Sequence, residues 1–186
     1  MTGQTALSTT GATSTLLEGT DRRRSLRDVL TTIETTSYEP LRQELAAILA
    51  LLDDELRRHP GADDETLQAI CMTLRRLQTV LSVHFDVEES QLIPSLWLYE
   101  RGIRSRSVQV TAMVGQLGYD QFKIMSLLCR LQVLVRLYRR PDRKSPAVSA
   151  ALAGLAALTR GVHAHLRRET RVLLPRLAAL ADAMGS

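Results

Sequence analysis

At 186 residues the chain can form one domain with a substantial core, or two small domains sharing an interface. Hydrophobic residues make up 45% of it and aromatics only 4%, with Leu and Ala dominant, which favours helices over sheets and leads us to expect a single all-α domain. The net charge of +4 and pI near 9.5 admit a polyanion, but the arginines are scattered without a stripe or aromatic interleaving, so no nucleic acid partner is expected.

Residues 1–24 are rich in Thr, Ser and Gly and are expected to form a disordered tail, because they have too little apolar area to offset the entropy of ordering. The tail has no basic, apolar leader pattern, and no uncharged apolar segment long enough for a bilayer is apparent. The expectation is a cytoplasmic protein without a membrane partner. "SLRDVLTTI" (25–33) reads as a short lead-in helix, and the bundle is expected to run from 25 to 184. A first long helix follows Tyr38, with Leu41, Leu45, Ile48 and Leu52 on one seam.

The turn "RRHPGADDE" leads to a second helix, on which Leu67, Ile70, Leu74, Leu77, Leu81, His84 and Glu88 recur at steps of three and four, the spacing of one helix face. Its end is expected near Pro94. The segment from Ser95 to Gly118 would cross to a third helix starting near Tyr119. After "RRPDRKSPA" a fourth helix carries Val148, Ala151, Leu155, Leu158, Val162, His165 and Glu169, and would end near Pro175. Cys71 and Cys129 lie in apolar stretches without C-x-x-C spacing, so both are expected to be reduced core residues.

The fourth helix repeats the second at an offset of 81 residues without an insertion. Leu67, Leu74, Leu77, Leu81, His84, Glu88 and Pro94 map onto Val148, Leu155, Leu158, Val162, His165, Glu169 and Pro175. The same offset takes Leu41 to Phe122, Leu52 to Val133, Leu56 to Leu137 and Pro60 to Pro141. Units of about 38–94 and 119–175 therefore read as two helical hairpins. Neither can cover its own apolar face, and together they predict an up-down four-helix bundle with a pseudo-two-fold axis.

In both units the seam turns polar at the same place. Residues four apart share a helix face, so His84 with Glu88, and His165 with Glu169, can converge on a cation. A lone His-x-x-x-Glu has two readings, a satisfied core histidine or a metal ligand. Its recurrence in register favours the metal, since uncompensated carboxylates in a Leu seam are costly.

"HFDVEESQLIPSL" and "HLRRETRVLLPRL" resemble the motifs of the hemerythrin-like, or HHE cation-binding, domain, and the resemblance extends over about 38–180. It implies a four-helix bundle with two non-haem iron ions, bridged by the two Glu and by oxide or hydroxide. Manganese or zinc would suit similar donors. The family pattern adds a His about 45 residues before each His-x-x-x-Glu, and this chain has "YEPLRQEL" and "YDQFKIMSLL" there. Tyr38 and Tyr119, themselves 81 apart, stand at the positions of those imidazoles, and the expected metal ligands are Tyr38, His84, Glu88, Tyr119, His165 and Glu169.

The alternative is that both tyrosines are core or capping residues. As ligands they would bring the set to four negative charges and favour ferric iron. Ser126 and Cys129 either face the centre and leave room for a small molecule or pack elsewhere. Glu39 and Asp120 read as partners of the site or as helix N-terminal residues, and Glu89 as a surface or accessory residue.

The functional expectation is a di-iron redox enzyme acting on dioxygen, peroxide or a related oxidant, with an organic substrate open. A metal-loaded oxygen, nitric oxide or redox sensor, an iron-binding module without turnover and a metal-free helical scaffold are the alternatives. The apolar third helix could support a homodimer contact.

Overall fold

The seam residues fold as their spacing dictates. The computed structural model describes residues 25–58, 65–100, 107–138 and 145–185; the tail at 1–24 and both turn centres lie outside these. All the described elements are helical: α1 (Leu26–Ile33), α2 (Glu39–Arg58), α3 (Glu65–Val87), α4 (Ile93–Glu100), α5 (Ser107–Leu137), α6 (Pro146–Arg168) and α7 (Leu174–Gly185). Helices α2, α3, α5 and α6 form the four-helix bundle. Helix α2 lies against α3 and α6, α3 against α5, and α7 folds back on α5.

The core joins the predicted seams, with Leu45, Ile70, Leu74, Leu77, Leu81, Leu158 and Val162 almost fully buried. Helix α6 starts with Ser145 as N-cap, its Oγ accepting from Val148 N–H at 3.1 Å and donating to buried Glu55 Oε2 at 2.8 Å. The cap thereby ties α6 to the end of α2, besides satisfying a backbone donor that the helix cannot. Helices α2 and α6 approach closely. A methyl group on Gly154 would sit 3.1 Å from Ile48 Cγ1, and one on Gly161 2.8 Å from Leu41 Cδ2.

Pro94 and Pro175 do not end their helices as expected. Each follows a π-helical turn, Glu88–Leu92 or Glu169–Leu173, after which the chain continues as α4 or α7. Proline has no N–H, and its ring crowds the carbonyl four residues before it. Widening the preceding turn accommodates that, with Ile93 N–H bonded to Glu88 O and Leu174 N–H to Glu169 O. Side chains occupy nearby carbonyls, as in Ser95 Oγ donating to Gln91 O at 2.6 Å.

The expected crossing from Ser95 to Gly118 is also revised. Ser95 belongs to α4 and Gly118 to α5, so a crossing is confined to 101–106, outside the described residues. The combined run Pro146–Ala179 has the length and composition to cross a membrane, but Val148, Leu155, Leu158 and Val162 face the bundle core.

The repeat needs one correction of register. Leu41 is buried, whereas its 81-residue counterpart Phe122 is 70% exposed, and Val133 and Leu137 are likewise exposed. On α5 the buried residues include Ile124, Leu128 and Leu131, which correspond to Leu41, Leu45 and Ile48 at an offset of 83. The second helices keep the offset of 81, so the second hairpin is two residues shorter between its seams.

Candidate metal centre

Four polar side chains meet inside the bundle at the level where the seams of α3 and α6 run into their π turns. His84 and Glu88 come from one side, His165 and Glu169 from the other, and all four are at most 1% exposed. One donor atom from each lies within 4.8 Å of all the others. His84 Nε2 is 3.0 Å from Glu169 Oε1, a hydrogen bond across the pseudo-two-fold axis. His165 Nε2 is 3.3 Å from Glu169 Oε1 and 3.8 Å from Glu88 Oε2.

The π turns help to place the carboxylates. In an α-helix a step of four residues overshoots one turn by about 40°, so His84, Glu88 and Leu92 would drift around the surface. A wider turn beginning at Glu88 keeps Glu88 and Leu92 both buried, and the same holds for Glu169 and Leu173. Inserted π turns of this kind occur frequently at functional sites. A third, Glu34–Tyr38, ends on Tyr38 just ahead of Pro40.

Tyr38 lies in the core, 1% exposed, and its Oη donates to Glu88 Oε2 at 2.5 Å. Its ring stacks on Phe85 with centroids 4.5 Å apart. Arg42 covers this end, its guanidinium 5.3 Å from the Phe85 centroid and paired with Glu89 at 3.0 Å. Glu89 is thus part of a partly exposed ion pair outside the cluster.

Tyr119 does not reach the cluster. Its ring is 58% exposed, with Lys123 Nζ 4.0 Å from its centroid. The cause is the offset of 83: the counterpart of Tyr38 is Gln121, whose Nε2 donates to Glu169 Oε2 at 2.8 Å. The spacing of α5 alone carries this signal, since Gln121 stands four residues after buried Leu117 and three before buried Ile124. Ser126 and Cys129 are exposed, so they do not line the centre, and Cys129 is not a core residue. Cys71 is buried, which pushes its thiol up to about 11. Glu39 is exposed and bonded to Gln43, while buried Asp120 accepts from Gln116 at 2.9 Å.

The electrostatics are those of a crowded anionic interior. Burial, and then the charge of Glu169, push the Glu88 carboxyl well above the usual carboxylate range. Burial acts on Glu169 in the same sense, but His165, a hydrogen bond from Glu88, and His84 together hold it well below that range. Burial and the neighbouring Glu88 raise the Tyr38 phenol far above its ordinary value. Both effects bias the Glu88 carboxyl and the Tyr38 phenol toward their protonated forms.

Hydrogen bonding within the cluster is incomplete. Glu88 Oε1, His165 Nε2 and both imidazole Nδ1 atoms are buried without a hydrogen-bond partner. Each such group normally finds one, because leaving it bare in an apolar interior costs about 1–3 kcal/mol. Two imidazoles and two carboxylates with one donor atom each within 4.8 Å of the others, and with buried polar atoms left unpaired, form a donor set suited to a first-row transition metal.

A family model for the hemerythrin HHE cation-binding domain matches residues 36–177, and thus includes both hairpins and all four convergent residues. The chain belongs to the hemerythrin HHE cation-binding family. Within that hemerythrin framework, the two ends of this cluster are unlike, with a phenol on Glu88 and a neutral amide on Glu169. No curated protein matches the chain.

Proposed function

We propose that the chain holds a dinuclear non-haem iron centre on His84, Glu88, His165 and Glu169, with Tyr38 as a phenolate ligand, and uses it as a redox enzyme acting on dioxygen, peroxide or a related small oxidant. The supporting observation is the set of buried donor atoms left without hydrogen bonds where two imidazoles and two carboxylates converge. When bound, iron supplies Lewis acidity and one-electron redox chemistry that none of these side chains possesses.

The protein's own contribution is charge, protons and dryness. Glu88 and Glu169 supply two negative charges, and Tyr38 supplies a third when its proton leaves. With Gln121 in the place expected for Tyr119, the set carries three negative charges rather than four. The preference for ferric iron is accordingly weaker than two phenolates would give. Phe85, Leu81 and Val162, all buried, exclude water around the cluster and strengthen every electrostatic interaction inside it.

Elemental analysis and a visible spectrum of the purified protein test the proposal. Two irons per chain and a blue to purple phenolate band are expected. Tyr38→Phe should abolish the band, and Tyr119→Phe should leave it unchanged. A ratio of one iron would make the centre mononuclear, and protein without metal would overturn the reading. Sustained consumption of peroxide would separate an enzyme from a sensor.

A further inference from the structure

A cavity of ≈ 570 Å³, broadly open to solvent, lies along α5, α6 and the π turn after α6. Its lining combines apolar side chains, Phe122 and Met125 from α5 and Leu166 from α6, with Arg167, Arg171 and His163. Among the described residues no acidic side chain lines it. Phe122 is 70% exposed and Met125 38%, so apolar surface lies open to solvent along the cavity. Such a layout complements a molecule with an anionic head and an apolar body, because Arg recognises carboxylates through charge-assisted hydrogen bonds while the apolar side chains take the hydrocarbon.

Gln121 also lines the cavity. Of the side chains lining it, this is the one that bonds a cluster carboxylate, Glu169. Gln121 is lightly held on the cavity side. Thr170 Oγ1 lies 3.2 Å from Gln121 Oε1 but also donates to Leu166 O at the shorter distance of 2.8 Å. The opposite end of the cluster is built differently. There Tyr38 stacks on Phe85 beneath Arg42, and the nearby cavity of ≈ 240 Å³ is lined by Phe85 and Arg42 but not by Tyr38, the side chain that bonds Glu88.

We propose that the cavity between α5 and α6 binds a small aliphatic monocarboxylate, and that Gln121 is the gate through which this molecule reaches the Glu169 side of the metal centre. Binding in the cavity follows from its lining alone, whereas the gating role rests on the metal-centre reading above. The carboxylate sits at Arg167 and Arg171, the alkyl chain lies on Phe122 and Met125, and the Gln121 side chain swings off Glu169 to open the way.

Calorimetric titration of the purified full-length chain with hexanoate, hexanol and hexylamine tests the cavity. Hexanoate should bind best and hexylamine least. The doubly substituted Arg167→Ala, Arg171→Ala chain, altered at two exposed positions, should lose about three- to tenfold in hexanoate affinity. Equal binding of hexanoate and hexylamine, or hexanoate binding indifferent to both arginines, would overturn the assignment.

The gate is read from the rate at which dipicolinate strips metal from the loaded protein. Gln121→Ala should accelerate stripping about tenfold, and saturating hexanoate should slow it again. Acceleration without that protection means only a weakened metal site and overturns the gate. Protein that binds hexanoate but holds no metal would refute the metal centre while leaving the cavity intact.

Discussion

Glu88 and Glu169 are chemically identical and symmetry-related, yet their surroundings separate them. One is pushed toward its neutral form, while the other is kept ionised by two imidazoles. A metal ion must compete with the protons on Glu88 and Tyr38, both of which are held above their ordinary values. Metal loading should therefore release protons, and apparent affinity should rise with pH from the usual carboxylate range upward. An unbuffered titration followed by pH electrode measures the release, and its absence would mean that the ion binds elsewhere.

The linkage to stability has the matching sign. A carboxyl whose folded pKa is raised loses stabilisation as pH rises above the unfolded value, here an ordinary glutamate near 4.5, so Glu88 makes the metal-free protein less stable above that pH. Glu169, held low, contributes in the opposite sense and loses its contribution as pH falls below the same point. At this scale the sequence was legible for the His-x-x-x-Glu pairs, because spacing of four on an apolar seam leaves those side chains nowhere to point but inward. Tyr119 is different, because the offset of 81 that relates the second helices does not relate the first. Gln121 and Ile124 show that the buried face of α5 is two residues further on.

Among the elements, the π turns are what the residue pattern did not reveal. A proline inside an apolar helix commonly signals an end, and here it signals a widened turn through which the helix continues. If Pro94 and Pro175 maintain those turns, the Pro94→Ala, Pro175→Ala chain should keep its helix content but lose about ten- to a hundredfold in metal affinity, as changes to supporting residues around a metal typically do. Circular dichroism with a competitive chelator titration separates the two effects. The cap on α6 gives a purely structural counterpart. Ser145→Ala removes the acceptor for Val148 N–H and the donor to Glu55, and should cost about 0.5–2 kcal/mol in urea unfolding with no change in metal stoichiometry.

For the molecule as a whole, the fold class, the two hairpins and the core seams of α2, α3 and α6 were readable from periodicity and repeat, because burial of one helix face is the dominant energetic demand on such a chain. The register of α5 was not, since the offset of 81 kept by the second helices becomes 83 between the first ones. The interior cluster makes folding and metal binding one problem. An ion that binds only the folded chain at 100 times its dissociation constant stabilises by about 2.7 kcal/mol, so the loaded protein should unfold at a higher temperature than the chelator-treated one. Identical unfolding temperatures would mean that no ion enters the core.

Gly154 and Gly161 leave no space between α2 and α6 for even a methyl group without displacing Ile48 or Leu41, whereas the flank between α5 and α6 has room to spare. Larger residues can be accommodated on that second flank and hardly at all on the first. Any change in which molecules the bundle admits would thus have to come from substitutions along one side, while the other acts as its fixed spine.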